Sequence, residues 1–246
     1  MEELPKIFTA CPAFGHQMMA QTTTSLIALT RDLAIRDMFG GFSSLSFPDL
    51  IDLRNVFLSV WFDGMKASHL LFVDADMEFR PELIFDMLVA DKPLIGALYP
   101  RKKTPISWVG SPTTPPAMPE GNLLEVESLG CGVMLIRRDC IENMIDKGTC
   151  EVQTDLDGTS LRGLLEPHGV KRLIRAFDKL TTEDERRYQL SEDYSFCHRH
   201  RQAGGKVWAA IDHGVTHWGM APFSAKYSSM YDPHWHDGKW ELRMGS

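Results

Sequence analysis

Apolar positions along the first two-thirds of the chain follow two alternating patterns. Short runs of consecutive apolar residues predict buried strands at Lys6–Cys11, His69–Val73 and Pro93–Leu98. Apolar residues at helical spacing predict a helix over Gln21–Arg36 and a second that Asp49 caps and that runs to about Asp63. Strands that alternate with helices indicate parallel crossovers, so the predicted fold class is α/β.

The second half of the chain has a less regular pattern. Five prolines between residues 105 and 119 predict a loop, and Val126–Ile136 is predicted as one strand with Gly130 and Gly132 inside it. The segment Glu151–Gln189 is predicted to be polar and irregular, and a part of it is predicted to act as a flexible lid over the site, with a passive surface insertion as the alternative. A helix is expected to begin at Glu192 with Ser191 as its cap, and the tail 220–246 is predicted to be irregular. We expect residues 1–246 to form a single domain.

Composition narrows the class of protein. The chain has 246 residues, of which 43% are hydrophobic and 24% charged, which argues against wholesale disorder. No window approaches the ~18 apolar residues of a membrane span, and the N-terminus lacks the pattern of a secretory signal. The five cysteines are scattered, which argues against a disulfide framework or zinc knuckle and predicts a reducing, cytoplasmic setting. A net charge of −7 argues against general nucleic-acid binding.

The main candidate for chemistry is the pair Asp74 and Asp76, which directly follows the apolar strand His69–Val73. Open α/β sheets bind their ligands at the carboxyl ends of such strands. Two carboxylates there repel each other unless a cation satisfies them, and a divalent metal shared with substrate phosphates is the natural partner. A soluble turn after a strand remains the alternative interpretation.

Further candidates are weaker when each is taken alone. Asp193 can act as a general base, although acidic residues in a first helical turn also stabilise the helix dipole. His217 can complete a metal site with mixed oxygen and nitrogen ligands. Arg54 is suited to binding pyrophosphate but can equally be a solvated side chain. The Gly130-Cys131-Gly132 segment either allows close approach of a ligand or forms a bulge.

In order along the chain, these motifs resemble those of one enzyme family. The motifs are an apolar strand, an Arg-Asn helix, Leu-Phe-Val-Asp-Ala-Asp, Gly-Ala-Leu-Tyr-Pro-Arg-Lys, Gly-Cys-Gly-Val-Met-Leu-Ile-Arg-Arg, Ser-Glu-Asp-Tyr-Ser-Phe-Cys and Thr-His-Trp-Gly. This set resembles a GT-A-fold glycosyltransferase of the short, family-2-like kind found in bacteriophages and bacteria. The resemblance covers about residues 6–219 and implies a Rossmann-like, mixed and mostly parallel sheet flanked by helices.

The resemblance implies a nucleotide-sugar donor, with a UDP-sugar as the first candidate, bound through Mn²⁺ or Mg²⁺. It implies that Asp74 faces the ribose or the metal, and that Asp76 and His217 are metal ligands. The remaining implied donor-site residues border the base (Cys11, Pro12), hold the nucleotide (Arg54, Asn55) or shape the sugar and acceptor site (Gly130, Cys131, Gly132). Asp193 matches the carboxylate that deprotonates the acceptor hydroxyl in inverting members.

Three readings of function stay open at this point. The leading one is a metal-dependent, inverting glycosyltransferase, with a retaining outcome as its main variant. The others are a nucleotidyltransferase or other phosphotransfer enzyme, and a noncatalytic module that binds a nucleotide sugar. The acceptor can be a glycan, a protein, a lipid-linked sugar or a modified DNA base. The last requires a local basic patch, for which the candidates are Arg101, Lys102, Lys103, Lys171, Arg172 and Arg175. If the source is a virus, the expected setting is the host cytoplasm.

Overall fold

The computed structural model describes residues 4–182, 187–219 and 221–226, together with the backbone of two strands at 231–236 and 239–244. Its α-helices are α1 (Ala20–Ile35), α2 (Leu50–Gly64), α3 (Glu82–Val89), α4 (Arg138–Asp146), α5 (Arg162–Leu165) and α6 (Glu192–Gln202). Short 3₁₀ turns lie at Phe14–His16 and Glu166–His168. Within this part of the chain, no helix is both long and apolar enough to cross a membrane.

The strands in the first half are β1 (Ile7–Pro12), β2 (Phe39–Leu45), β3 (His69–Val73), β4 (Met77–Glu78), β5 (Leu94–Ala97), β6 (Tyr99–Pro100) and β7 (Trp108–Pro112). Those in the second half are β8 (Leu123–Leu129), β9 (Val133–Arg137), β10 (Glu151–Gln153), β11 (Leu173–Arg175), β12 (Val207–Ala210), β13 (Val215–Trp218), β14 (Pro222–Ala225), β15 (Tyr231–His236) and β16 (Lys239–Met244).

Nine of these strands form the central sheet, in the order β2-β1-β3-β9-β5-β12-β8-β7-β6. β2, β1 and β3 pair in parallel, and β5 pairs in parallel with β12. β9 lies antiparallel between β3 and β5, so all five parallel strands run in one direction. The predicted α/β fold, with a mixed and mostly parallel sheet flanked by helices, is therefore confirmed.

Helices cover both faces of this sheet. On one face, α2, α4 and α6 contribute Phe57, Ile141 and Phe196 to an apolar cluster that also includes Phe72 of β3. On the other face, α1 and α3 contribute side chains such as Leu29 to a second cluster. Because α/β sheets of this kind are buried on both sides, their central strands consist of almost continuous apolar residues. This explains why β3 was visible in the sequence at its observed bounds.

Several predictions of secondary structure need correction. The single strand predicted over Val126–Ile136 is divided into β8 and β9, which β12 and β5 separate in the sheet. The tail predicted to be irregular contains β14 and an antiparallel β15–β16 pair. The prediction also missed β2, an edge strand whose mixed sequence and partly exposed side chains give no buried-strand pattern.

The segment predicted as an irregular lid is largely packed against α2. Its strands β10 and β11 form an antiparallel pair. Leucines and valines from this segment form a third apolar cluster with Val56 and Val60: Leu156, Leu161, Leu165, Val170 and Leu173. Residues 183–186 of the predicted lid lie outside the described residues. Closure over the site stays a prediction, and the packed cluster argues against movement of residues 156–173 as a whole.

Candidate active site

A cleft of about 850 Å³ opens at the carboxyl ends of β1 and β3. Its polar lining residues include Asp74, Asp76, Lys102 and His217. Its apolar lining residues include Pro12, Phe14, Met18, Met19, Phe47 and Leu53. Small-molecule sites combine apolar walls with a few convergent polar groups in this way, and their volumes are roughly 300–1,000 Å³.

Strand pairing brings His217 to Asp76 across 141 positions of sequence. β13 pairs antiparallel with β4, and this places His217 opposite Met77, the residue that follows Asp76. The backbone N–H of Trp218 donates to the carbonyl oxygen of Asp76 at 2.8 Å. His217 Nε2 lies 3.6 Å from Asp76 Oδ2. The predicted juxtaposition of these two side chains is thus present.

The orientation of the His217 ring is fixed by its other nitrogen. His217 Nδ1 lies 3.0 Å from the carbonyl oxygen of Pro100, which can only accept a hydrogen bond, so Nδ1 donates. The Tyr99 ring packs edge-on against the imidazole, with 5.2 Å between centroids. In the neutral ring, Nε2 then presents its lone pair on the side of Asp76. A metal-binding histidine is commonly held by a backbone carbonyl in the same way.

Asp76 and His217 fit a divalent cation. Two ligands that each lie ~2.1 Å from one ion are separated by roughly 3.0–4.2 Å, and the observed 3.6 Å between Nε2 and Oδ2 lies within this range. Burial raises the pKa of Asp76, but the adjacent His217 and the hydrogen bond from Lys102 outweigh this effect and lower it, so the carboxylate is ionised. In the described part of the chain, no group of three or more His, Cys, Asp or Glu side chains is arranged for a metal. A cation here would take its other ligands from water and substrate phosphates, as Mg²⁺ commonly does.

Asp74 has a different partner from Asp76. Its Oδ1 accepts a hydrogen bond from Arg54 Nη2 at 2.9 Å, and its backbone N–H donates to the carbonyl oxygen of Gly132 at 3.0 Å. The Arg54 guanidinium is buried under the cleft and lies over the Phe72 ring, with Nε 3.7 Å from Glu192 Oε1. Burial lowers the pKa of Arg54, but Asp74 and other nearby acidic groups raise it above its usual range. Asp74 is therefore held beside a permanent cation, and its predicted contact with a metal stays a prediction.

Asp193 lies at the start of α6, is partly buried, and is not among the described residues that line the cleft. Its Oδ1 accepts hydrogen bonds from the Ser191 hydroxyl and from the backbone N–H of Tyr194, the latter at 2.8 Å. Ser191 occupies the cap position but makes no side-chain hydrogen bond to the helix backbone, contrary to the prediction. Burial, followed by the charge of Glu192, raises the pKa of Asp193, although Ser191, Arg54 and Tyr194 oppose this shift. A carboxylate whose pKa is raised is a stronger base than an ordinary one.

Several predicted donor-site residues lie behind the cleft and not on its wall. Asn55 is fully buried, and both ends of its amide are used: it donates to Asp178 Oδ1 at 2.7 Å and accepts from the Phe177 backbone N–H at 2.9 Å. The Cys11 thiol is buried, and this burial raises its pKa to about 12. Neither side chain is among the described residues that line the cleft. Any effect of Asn55 or Cys11 on a nucleotide is thus indirect.

The Gly130-Cys131-Gly132 turn lies against Tyr99. A Cβ atom at Gly130 would be 2.2 Å from the Tyr99 hydroxyl oxygen, and one at Gly132 would be 2.6 Å from Tyr99 Cζ. The Gly132 backbone N–H donates to that hydroxyl at 3.2 Å. These glycines therefore pack against Tyr99, which lines the cleft and contacts His217.

The sequence interpretation did not single out the apolar wall of the cleft. Phe14 is 76% exposed, and Phe47 is partly buried, on the loops that follow β1 and β2. The backbone N–H of Met19 donates to the carbonyl oxygen of Ala75 at 2.8 Å, which ties the first loop to the two aspartates. An exposed aromatic residue in a loop directly after the first strand was the available signal.

No protein-family model matches this chain, and no curated protein matches it in sequence. In fold, it is similar to A197 from STIV, with 13% identity, a TM-score of 0.49 and coverage of 87% of this chain and 86% of that one. It is also similar to a glycosyltransferase involved in the glycosylation of the major capsid of PBCV-1, with 14% identity, a TM-score of 0.34 and coverage of 59% and 65%. A third similar structure is GalNAc-T7 with UDP, GalNAc and Mn²⁺, with 10% identity and a TM-score of 0.47; the match covers 87% of this chain and 43% of that one. A glycosyltransferase is thus among the solved structures to which this chain is similar.

Proposed function

We propose that this protein is a metal-dependent glycosyltransferase that moves a sugar from a nucleotide-sugar donor, with a UDP-sugar as the first candidate, to an acceptor hydroxyl. The observation that carries the proposal is the pair Asp76 and His217 in the cleft, with the ring of His217 oriented by Pro100. Asp74 and Arg54 lie directly beside this pair. The proposal includes the GT-A type of fold, one domain over residues 1–246, and an inverting outcome.

The cleft offers two kinds of lining to a donor. Apolar side chains that include Phe14 and Phe47 are suited to the flat face of a nucleobase. Asp76 and His217 would hold Mn²⁺ or Mg²⁺. When bound there, such an ion offsets the negative charge of the leaving diphosphate as a Lewis acid. Arg54 keeps Asp74 in place through a charge-assisted hydrogen bond.

Asp193 would serve as the general base. Formation of the new glycosidic bond requires loss of the proton of the acceptor hydroxyl, and a carboxylate within ~3 Å can accept it. The hydrogen bonds from Ser191 and Tyr194 both go to Oδ1, so they fix the carboxylate without using Oδ2. The raised pKa of Asp193 makes its ionised form a better acceptor for that proton.

The ion pairs of the predicted basic patch help to choose between DNA and a smaller acceptor. Arg172 is paired with Asp63, and Arg175 is paired with Asp52 and Asp178. Because these ion pairs neutralise two of the six residues of the basic patch expected from the sequence, they favour a glycan or other small acceptor over DNA. A reducing, cytoplasmic setting is part of the proposal, and its support is that all five cysteines are free and buried.

The test is donor turnover. The protein is incubated with a panel of UDP-sugars, with Mn²⁺ or with EDTA, and released UDP is measured. We expect slow, metal-dependent release of UDP from at least one donor even without acceptor, because water can replace the acceptor hydroxyl. Pyrophosphate release from UTP and sugar 1-phosphates would instead identify a nucleotidyltransferase. Metal-dependent UDP binding without any turnover would identify a binding module.

A further inference from the structure

Lys102 contacts the same carboxylate oxygen that the proposed metal would use. It lies on the loop after β6, and its Nζ is 2.5 Å from Asp76 Oδ2. The same Oδ2 lies 3.6 Å from His217 Nε2. The ammonium group and a divalent cation therefore compete for one oxygen atom.

The fold supports this position of the lysine. A Cβ atom at Gly219 would lie 3.1 Å from Lys102 Cδ and 3.7 Å from its Cγ and Cε, so the aliphatic stem runs over Gly219 at the end of β13. The preceding residue, Arg101, anchors the loop, because its backbone N–H donates to Ser107 and its Nε donates to Trp108. Lys102 is thus positioned in the cleft wall by both neighbouring segments.

The Lys102–Asp76 pair is weak enough to exchange. Its two side chains are 35% and 32% exposed. Ion pairs in such surroundings contribute only ~0–1 kcal/mol, because water solvates the separated charges well. A divalent cation with Asp76, His217 and phosphate oxygens as ligands can therefore displace the ammonium group from Oδ2.

We propose that Lys102 is an internal cation that neutralises Asp76 in the free protein, leaves it when a divalent metal binds, and then contacts the diphosphate of the donor. The Lys102 ammonium group would thus pair first with the Asp76 carboxylate and then with the diphosphate. The diphosphate contact rests on the proposed function, whereas the exchange with metal does not.

The first experiment uses Mn²⁺ alone, without nucleotide. Mn²⁺ affinity is measured by the electron paramagnetic resonance of the free ion for the parent, Lys102→Met and Lys103→Met. Methionine keeps an unbranched stem and removes the charge, and exposed Lys103 is the matched control for the general change in charge. We expect Lys102→Met to bind Mn²⁺ about fivefold more tightly than the parent, since an ion pair of ~1 kcal/mol no longer competes. Lys103→Met should change this affinity less than twofold.

The second experiment measures UDP affinity by calorimetry at saturating Mn²⁺. We expect Lys102→Met to bind UDP about fivefold more weakly than the parent, because its contact with the diphosphate is lost. Equal or weaker Mn²⁺ binding by Lys102→Met, or no Mn²⁺ binding by any of the three proteins, would overturn the exchange. Tighter Mn²⁺ binding with unchanged UDP affinity would overturn the diphosphate contact alone. Absence of sugar transfer would count against the proposed function and leave the Mn²⁺ result standing.

Discussion

Arg54 Nη2 lies 2.9 Å from Asp74 Oδ1, and the arginine is almost completely buried beneath the cleft. Asp76, two residues later, instead contacts Lys102 and His217, which both line the cleft. The two carboxylates of one motif therefore have different partners. Asp74, which also lines the cleft, pairs with a buried arginine, and Asp76 pairs with a partly exposed lysine.

The first prediction concerns Arg54. Replacement of Arg54 by Met should lower the free energy of unfolding by about 2–4 kcal/mol, because it leaves Asp74 and Glu192 without their shared buried cation. Urea unfolding measures this change. The double variant Arg54→Met with Asp74→Asn should recover part of the loss, since the asparagine carries no charge to be left unpaired.

Arg31 provides the control for Arg54. Arg31 also pairs with an aspartate, Asp32, at 2.8 Å, but its side chain is 68% exposed. Arg31→Met should change the free energy of unfolding by no more than ~0.5 kcal/mol. Similar losses for the two variants would mean that burial of Arg54 does not determine its contribution.

The sequence predicts site residues that are neighbours in the chain better than those that are far apart in it. Asp74 and Asp76 were visible because they directly follow β3, whose apolar residues are continuous and whose bounds the pattern gave without error. His217 was placed beside them only through resemblance to a family. The physical reason for its position is the pairing of β13 with a two-residue strand, β4, which is too short to leave a periodic pattern.

The second prediction concerns Gly132. Gly132→Ala should lower the free energy of unfolding by about 1–3 kcal/mol, because its Cβ would lie 2.6–2.8 Å from atoms of Tyr99. Thermal unfolding measures the change. Gly163→Ala is the matched control, since a Cβ there, in α5, meets no atom within 4 Å. Equal stability of the two variants would show that Tyr99 can move aside at no cost.

The sequence could not predict which residues the buried side chains near the site contact. Asn55 follows Arg54 in the chain and was grouped with it, but a helix turns the two side chains by about 100° relative to each other. Arg54 reaches Asp74, and Asn55 reaches Phe177 and Asp178 on the segment before α6. The packing of that segment on α2 therefore shows what the sequence could not: Arg54 contacts a residue of the cleft, whereas Asn55 supports the structure behind it.

The third prediction concerns Asp76. Asp76→Asn should abolish the thermal stabilisation that Mn²⁺ and UDP together give the parent, because the neutral amide is a poor metal ligand. Asp86→Asn is the control, since Asp86 also lies beside a histidine, His213, at 2.9 Å, but outside the cleft. It should keep the full thermal shift. A normal shift in Asp76→Asn would show that the metal site is assigned to the wrong carboxylate.

The fourth prediction concerns Asp193 as general base. Asp193→Asn should lower the rate of sugar transfer by ~10²–10⁴-fold, because the amide oxygen keeps the acceptor role of Oδ1 but cannot take a proton. UDP affinity, measured by calorimetry, should stay close to that of the parent. Glu192→Gln is the control in the neighbouring position and should have a much smaller effect on transfer. Full activity of Asp193→Asn, with a product of retained anomeric configuration, would contradict both the base assignment and the inverting outcome.

The raised pKa of Asp193 makes the same variant informative about pH. Burial favours the protonated form in the folded state, so folding binds a proton between the unfolded pKa of about 4 and the higher folded pKa. The parent therefore loses stability as pH rises through that window, and Asp193→Asn does not. Urea unfolding at several pH values measures this effect. The free energy of unfolding of the variant, relative to that of the parent, should increase as pH rises above about 4 and stay constant above the folded pKa.

The rate of sugar transfer by the parent should rise with pH over the same window, because only the ionised carboxylate can act as base. If the stability difference between the variant and the parent does not change with pH, folding does not raise the pKa of Asp193.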